Sequence, residues 1–288
     1  DKTASRLALG CDNQTSSLHA FTMFDHFYGS GGRIFDTAFI YNNGKGDKYL
    51  GDWINSRQVE DEVIVLGKAA HTPQCEPQYI RPQILESLER LNIQKLDIFC
   101  LHRDNNEIPV SEFIDALNEI RDEGLINLIG ASNWELKRFS EARDYAQTNQ
   151  KESFSVLSNN FSLAQMVDPV WPGCVGINSE YINYIVKNDI MLFPWSSQAR
   201  GFFIKKKEVT SNQHFSNPSM EEEIRVWHDE KNLKRRAKCF EIADQRNLHP
   251  IQVALAYVLH KSPLIFPLIG PRTISETNSS IEATQIEL

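Results

Sequence analysis

The chain has 288 residues, 41% of them apolar and 10% aromatic, which supplies ample material for a large core and excludes a disordered polymer. Its formal charge of −8 and pI near 5.5 argue against a nucleic-acid binder that neutralises many phosphates. No apolar run approaches the roughly 20 residues that a membrane span needs.

Short β-branched or apolar runs recur along the chain, each followed by a stretch with helical periodicity: 6–10, 34–38, 63–68, 96–102, 125–132, 154–160, 191–196 and 264–270. In 82–91, Ile84, Leu85, Leu88 and Leu91 share one helical face, as do Phe113, Ile114, Leu117 and Ile120 in 110–123. Further helices are predicted around 47–55, at 234–247, and at 250–259, where Pro250 suits a first turn. Eight strand–helix pairs are the count that closes a parallel barrel, so the predicted fold is α/β, a (β/α)8 TIM barrel forming one domain over 1–288. The polar stretch 202–232 is longer than a single connection requires and predicts a flap over one end of the barrel.

Several motifs lead nowhere. Gly44-Lys45-Gly46 is followed by Gly51 two positions too late for GxGxxG, and Lys45 lacks the setting of a Walker A loop; a turn into a helix explains these glycines. Lys205-Lys206-Lys207 and Lys234-Arg235-Arg236 read as a solvated loop and a helix face. Cys11, Cys75, Cys100, Cys174 and Cys239 are scattered without a CxxC pair, and the start carries no signal-like run, which predicts a reducing, cytoplasmic setting and no metal site. The chain opens on Asp1 and ends at Leu288 soon after the last predicted helix, so either an open pocket or a longer protein is expected.

The informative residues end strands. In a parallel barrel all carboxyl ends converge on one face, so Asp36 after Ile34-Phe35, Lys68 after Val63–Gly67 and His102 after Asp97–Leu101 can meet, with Tyr41 five residues beyond Asp36. Each alone has an ordinary structural explanation. Together they form a coherent proton-donating group.

The stretch DTAFIY, with the later LGK and LHR, resembles the aldo-keto reductase family, and so do GLINLIGASNW (124–134), LFPWSSQARGFF (192–203) and FPLIGPRTISETNSS (266–280), in order along nearly the whole chain. The resemblance implies that Asp36, Tyr41, Lys68 and His102 are a catalytic tetrad. Lys68 would lower the pKa of Tyr41, Asp36 would orient Lys68, His102 would hold the substrate oxygen, and Tyr41 would exchange the proton. It also implies NADP(H), or NAD(H), bound without a Rossmann fold: Ser132 and Asn133 on the carboxamide, Ser158 where the family has a glutamine, Trp195 stacked on the nicotinamide, and Ser196, Gln198, Arg200 and Gly201 along the pyrophosphate. Gly270 and Arg272 would take the adenosine phosphate, with NADP preferred although Glu276 stands near the 2′ position.

Asp12, Phe39, His71, Arg103 and Trp134 are expected around the substrate, a carbonyl or alcohol compound; the polar members, with Asn13 and Asp104, suggest a sugar-derived aldehyde or ketone. Two rivals remain open from the residues: a regulatory subunit that binds nucleotide with little turnover, and a Schiff-base aldolase using Lys68. The oligomeric state is not readable from the sequence.

Overall fold

A computed structural model of the chain describes residues 2–204 and 220–288. In chain order the main elements are β1 (Ala8–Gly10), α1 (Ser17–Gly29), β2 (Ile34–Asp36), α2 (Lys45–Arg57), β3 (Ile64–Ala69), α3 (Pro77–Leu91), β4 (Leu96–Leu101) and α4 (Val110–Asp122). There follow β5 (Ile126–Ala131), α5 (Leu136–Thr148), β6 (Val156–Leu157), α6 (Ser179–Lys187), β7 (Met191–Leu192), α7 (Met220–Trp227), α8 (Glu230–Arg246), α9 (Pro250–Leu259), β8 (Leu268–Ile269) and α10 (Ile274–Glu282). All strands are parallel, in the order β7-β6-β5-β4-β3-β2-β1-β8.

The two sheet ends meet through the residues leading into β8. Leu192 N–H donates to Leu264 O (2.9 Å), Phe266 N–H to Leu192 O (2.8 Å), and Leu268 N–H to Pro194 O (3.0 Å). The eight predicted strands are therefore the eight observed, in a (β/α)8 barrel. Their predicted ends overrun, most at β6, β7 and β8, where the ladder is only two residues long.

Strand alternation separates two apolar layers. Ala8, Ile34, Leu66, Ile98, Cys100, Val156, Phe193 and Leu268 fill one cluster, the barrel interior. Leu9, Phe35, Val65, Phe99, Leu101 and Ile129 point the other way and pack under the helices. Helix α3 starts a turn before the predicted 82–91, with Pro77 in its first turn and Pro82 within it. Residues 205–219, the middle of the predicted flap and the Lys205-Lys206-Lys207 run, lie outside the described residues; the flanking Phe202, Phe203, Val226 and Trp227 belong to one buried cluster. Among the described residues no helix is long and apolar enough to cross a membrane.

Candidate active site

The alternation that fills the interior also aims the chemistry. Asp36 is two residues beyond the inward Ile34 and Lys68 two beyond the inward Leu66, so both enter the barrel at its carboxyl end; His102 is two beyond the inward Cys100. All three are buried. The Lys68 ammonium donates to Asp36 Oδ1 and lies 3.3 Å from Tyr41 Oη. The His102 ring stands edge-on to Tyr41, centroids 5.7 Å apart, and His71 stands edge-on to His102 at 4.9 Å.

Tyr41 is delivered by a tight left-handed turn. Asn42 (φ 51°), Asn43 (φ 55°) and Gly44 (φ 83°) follow it in succession, and Asn and Gly are the residues that accept this conformation most readily. Gly46 packs tightly: a Cβ there would sit 3.0 Å from Cys11 O and from Tyr41 Cβ. Next comes Asp47, fully buried, which accepts from Thr37 Oγ1 (2.6 Å) and Ser87 Oγ (2.8 Å) and so ties the end of β2 and the start of α2 to α3.

Burial and charge set the proton affinities. Burial pushes the Asp36 carboxyl up to about 6 against the pull of the Lys68 ammonium. Burial works against the charge on Lys68, but Asp36 and Tyr41 outweigh it and hold the amine above its ordinary value, hence protonated. Burial keeps His102 well below the ordinary histidine value, helped by Lys68, His71 and Arg103, so the ring is neutral. The Tyr41 phenol departs from the sequence expectation. Lys68 does pull it down, but burial pushes it up by more, Asp36 and Asp12 add to the rise, and the net shift is upward. The phenol is thus a neutral donor with a cation at hand rather than a phenolate.

The other side of the mouth carries the residues expected at the nucleotide. Ser132 Oγ donates to Ser158 O (2.6 Å) and accepts from Asn133 Nδ2 (2.9 Å), while Ser158 Oγ donates to Phe193 O (2.8 Å). The Ser158 hydroxyl is therefore turned into the barrel wall. Trp195 is half-buried, and its Nε1 has no partner within the protein. After it, Ser196, Ala199, Arg200 and Gly201 all have φ between 48° and 92°, in a turn around Gln198 in which the Ala199 and Gly201 N–H groups donate to Ser196 O (2.8 Å) and Gln198 O (3.3 Å). Gly270 O accepts from Asn13 Nδ2 (2.9 Å), and Arg272 Nη2 reaches Asn13 Oδ1 (3.4 Å). The Glu276 carboxylate accepts from the Arg272 N–H (2.7 Å) at the start of α10. An extended dinucleotide fits this donor set: an aromatic face, a left-handed loop and an arginine, laid along the ends of β7 and β8.

The residues expected at the substrate divide. His71 is at the mouth beside His102, and the charge of Asp12 is felt by Tyr41 and Asp36. Arg103 is buried and occupied, with Nη1 on His102 O (3.3 Å) and Nη2 on Cys174 Sγ (3.5 Å). Phe39 is partly buried against the outer core layer, with the Arg90 guanidinium 4.5 Å from its ring centroid. Trp134 is fully buried, its ring between Phe113 and Phe154 and its Nε1–H donating to Arg103 O (3.4 Å). Sequence reasoning missed Trp171, which lies in a Pro- and Gly-rich stretch without periodicity and places its ring 6.1 Å from that of Trp195.

Architecture and chemistry together mark a class: a parallel (β/α)8 barrel whose mouth joins a phenol, an ammonium, a carboxylate and an imidazole. The chain matches the Aldo/keto reductase family over residues 6–288 and belongs to that family. It is 27% identical to a norsolorinic acid reductase from Aspergillus flavus, over 96% of this chain and 69% of that protein. It is 23% identical to a probable aryl-alcohol dehydrogenase from Saccharomyces cerevisiae, over 93% of this chain and 84% of that protein. A crystal structure of an aldo-keto reductase from Klebsiella pneumoniae in complex with NADPH shares the fold, with a TM-score of 0.74, 18% identity, and coverage of 99% of this chain and 87% of that one.

Proposed function

We propose that the protein is an NADP(H)-dependent oxidoreductase that reduces an aldehyde or ketone to an alcohol, or runs the reverse, with Tyr41 exchanging the proton. The observation that carries this reading is the continuous contact from Asp36 through Lys68 to Tyr41, with the His102 ring against Tyr41. The nicotinamide supplies the hydride when bound. Tyr41 donates its proton to the carbonyl oxygen as negative charge develops there, and the Lys68 ammonium 3.3 Å away stabilises the phenolate left behind. Asp36 keeps that ammonium charged and aimed. His102 is neutral, and its ring stands edge-on to Tyr41, where it would hold the substrate oxygen while Tyr41 exchanges the proton.

Trp195 would support the nicotinamide, Ser132 and Asn133 its carboxamide, and residues 196–201 the pyrophosphate. The choice of NADP rests on Arg272. Glu276, which would repel a 2′-phosphate, has its charge engaged by the backbone at the start of α10, where it suits the helix dipole. The Klebsiella aldo-keto reductase was crystallised with NADPH, which supports the same choice.

For the substrate, an aromatic carbonyl compound is favoured over the sugar-derived one. Arg103 is committed to internal contacts and Asp104 to Arg138, leaving His71, His102, Tyr41, Trp195 and Trp171 as rings around the opening. The name of the yeast relative, a probable aryl-alcohol dehydrogenase, points the same way. Stopped-flow oxidation of NADPH with 4-nitrobenzaldehyde, butanal and glyceraldehyde tests all of this. Turnover with the aromatic aldehyde preferred is expected; nucleotide binding without any oxidation would leave the regulatory subunit as the reading.

A further inference from the structure

The segment 171–175 is fastened to residues that follow β7, β4 and β5. Trp171 lies against Trp195 beyond β7, with ring centroids 6.1 Å apart and planes inclined at 41°. The Arg200 guanidinium covers the Trp171 ring, 5.1 Å from its centroid, and is itself fixed by Glu222 at 3.0 Å. Cys174 Sγ accepts from Arg103 Nη2, and Arg103 directly follows His102 at the end of β4. The Val175 N–H donates to Asn133 Oδ1 (3.2 Å) at the end of β5. One short stretch thereby links the expected nicotinamide face to the side where Tyr41 and His102 stand.

Trp171 is 48% exposed although it is the bulkiest residue type and is in contact with Trp195 and Arg200. A large ring left exposed beside the expected nicotinamide face, held in place by a cation and by a second indole, is an apolar surface suited to contact. We propose that Trp171 is a specificity-determining residue of this site: together with Trp195 it forms the wall that holds the ring of an aromatic carbonyl substrate while Tyr41 and His102 address its oxygen. The assignment rests on the proposed carbonyl reduction and adds the surface that selects among carbonyl compounds.

The test compares kcat/KM for 4-nitrobenzaldehyde and butanal, with NADPH, in the wild type and in Trp171→Ala, Trp171→Leu and Trp171→Phe. Using the ratio of the two substrates cancels any change in the amount of active enzyme. Loss of an aromatic contact should lower the wild-type preference about five- to tenfold in the Ala and Leu variants, through KM rather than kcat, whereas Phe retains it. A Leu variant with the preference of the wild type, or equal losses on both aldehydes, would overturn the role of Trp171 while leaving the reduction itself intact. A wild type that turns over butanal but shows no aromatic preference would also overturn it, and one that oxidises NADPH with neither aldehyde would remove the reaction and this assignment together.

Discussion

The Lys68 ammonium lies 3.3 Å from the Tyr41 hydroxyl while it donates to Asp36. This places a fixed positive charge where a phenolate would form, and makes Tyr41 the group whose loss should matter most. Tyr41→Phe keeps the ring and removes the proton. Carbonyl reduction is expected to fall about 10²- to 10⁴-fold, the range of a lost general acid, with NADPH affinity unchanged. Steady-state kinetics and a titration of tryptophan fluorescence measure the two separately; substantial turnover in the variant would take the role away from Tyr41.

The pH dependence follows from the buried charges. Asp36 takes up a proton near 6. Below that, Lys68 loses its counter-charge and the phenolate its pre-set environment, so kcat/KM should fall with an apparent pKa near 6 on the acid side, and Asp36→Asn should abolish that limb. For stability the signs oppose. Asp36 has its folded pKa raised from 3.8, so its contribution is fully present below 3.8 and is lost as pH rises through about 6. His102 has its folded pKa depressed from 6.5, so its contribution is present above 6.5 and is lost as pH falls. His102→Gln should therefore lose less thermal stability than the wild type on going from about pH 7 to about pH 5, where a histidine would begin to be charged in the unfolded chain. Melting curves at the two pH values check it, and an equal drop in both proteins would contradict a buried neutral ring.

Arg272 is the residue on which the choice between nucleotides depends. Its side chain reaches Asn13 and its N–H is capped by Glu276, which fixes the backbone while directing a guanidinium toward the expected adenosine end. A charged hydrogen bond to phosphate contributes about 1.5–3 kcal/mol, so Arg272→Ala should weaken NADPH about 10- to 100-fold. NADH, without the 2′-phosphate, should bind as before. Separate titrations of the two nucleotides decide it: equal weakening would place Arg272 elsewhere.

Much of this site could be read from the sequence because a parallel barrel converts strand ends into neighbours. Asp36, Lys68 and His102 each terminate an apolar run, and the two-residue alternation that buries Ile34, Leu66 and Cys100 fixes which way they point. What was not legible depends on contacts between distant segments. Trp134 looks like a mouth residue because it follows Ser132 and Asn133, yet the chain turns there and the indole drops between Phe113 and Phe154. The resemblance puts Ser158 where the family has a glutamine, but its short side chain donates to the Phe193 carbonyl just beyond β7. The rise in the affinity of Tyr41 for its proton was equally hidden, since sequence shows the neighbouring cation but not the extent of burial.

Asp47 is the least conspicuous of these hidden residues and gives a prediction about stability. It sits in the first turn of α2, where an acid is ordinarily a solvated complement to the helix dipole, yet it is fully buried and accepts from Thr37 and Ser87, with Arg90 Nη1 3.8 Å away. Replacing it with Ala removes both acceptors and strands two buried hydroxyls, at a cost of about 2–4 kcal/mol. Asn retains one acceptor and offers a donor that the rotatable Ser87 hydroxyl can accept, so Asp47→Asn should cost about 1 kcal/mol. Because Thr37 adjoins Asp36 and Gly46 packs on Tyr41, the Ala variant should also lose turnover while it remains folded. Urea unfolding followed by tryptophan fluorescence, with kinetics on the same samples, separates the two effects. An Ala variant as stable and as active as the wild type would show that the Tyr41 turn is held by its own backbone and not by this carboxylate.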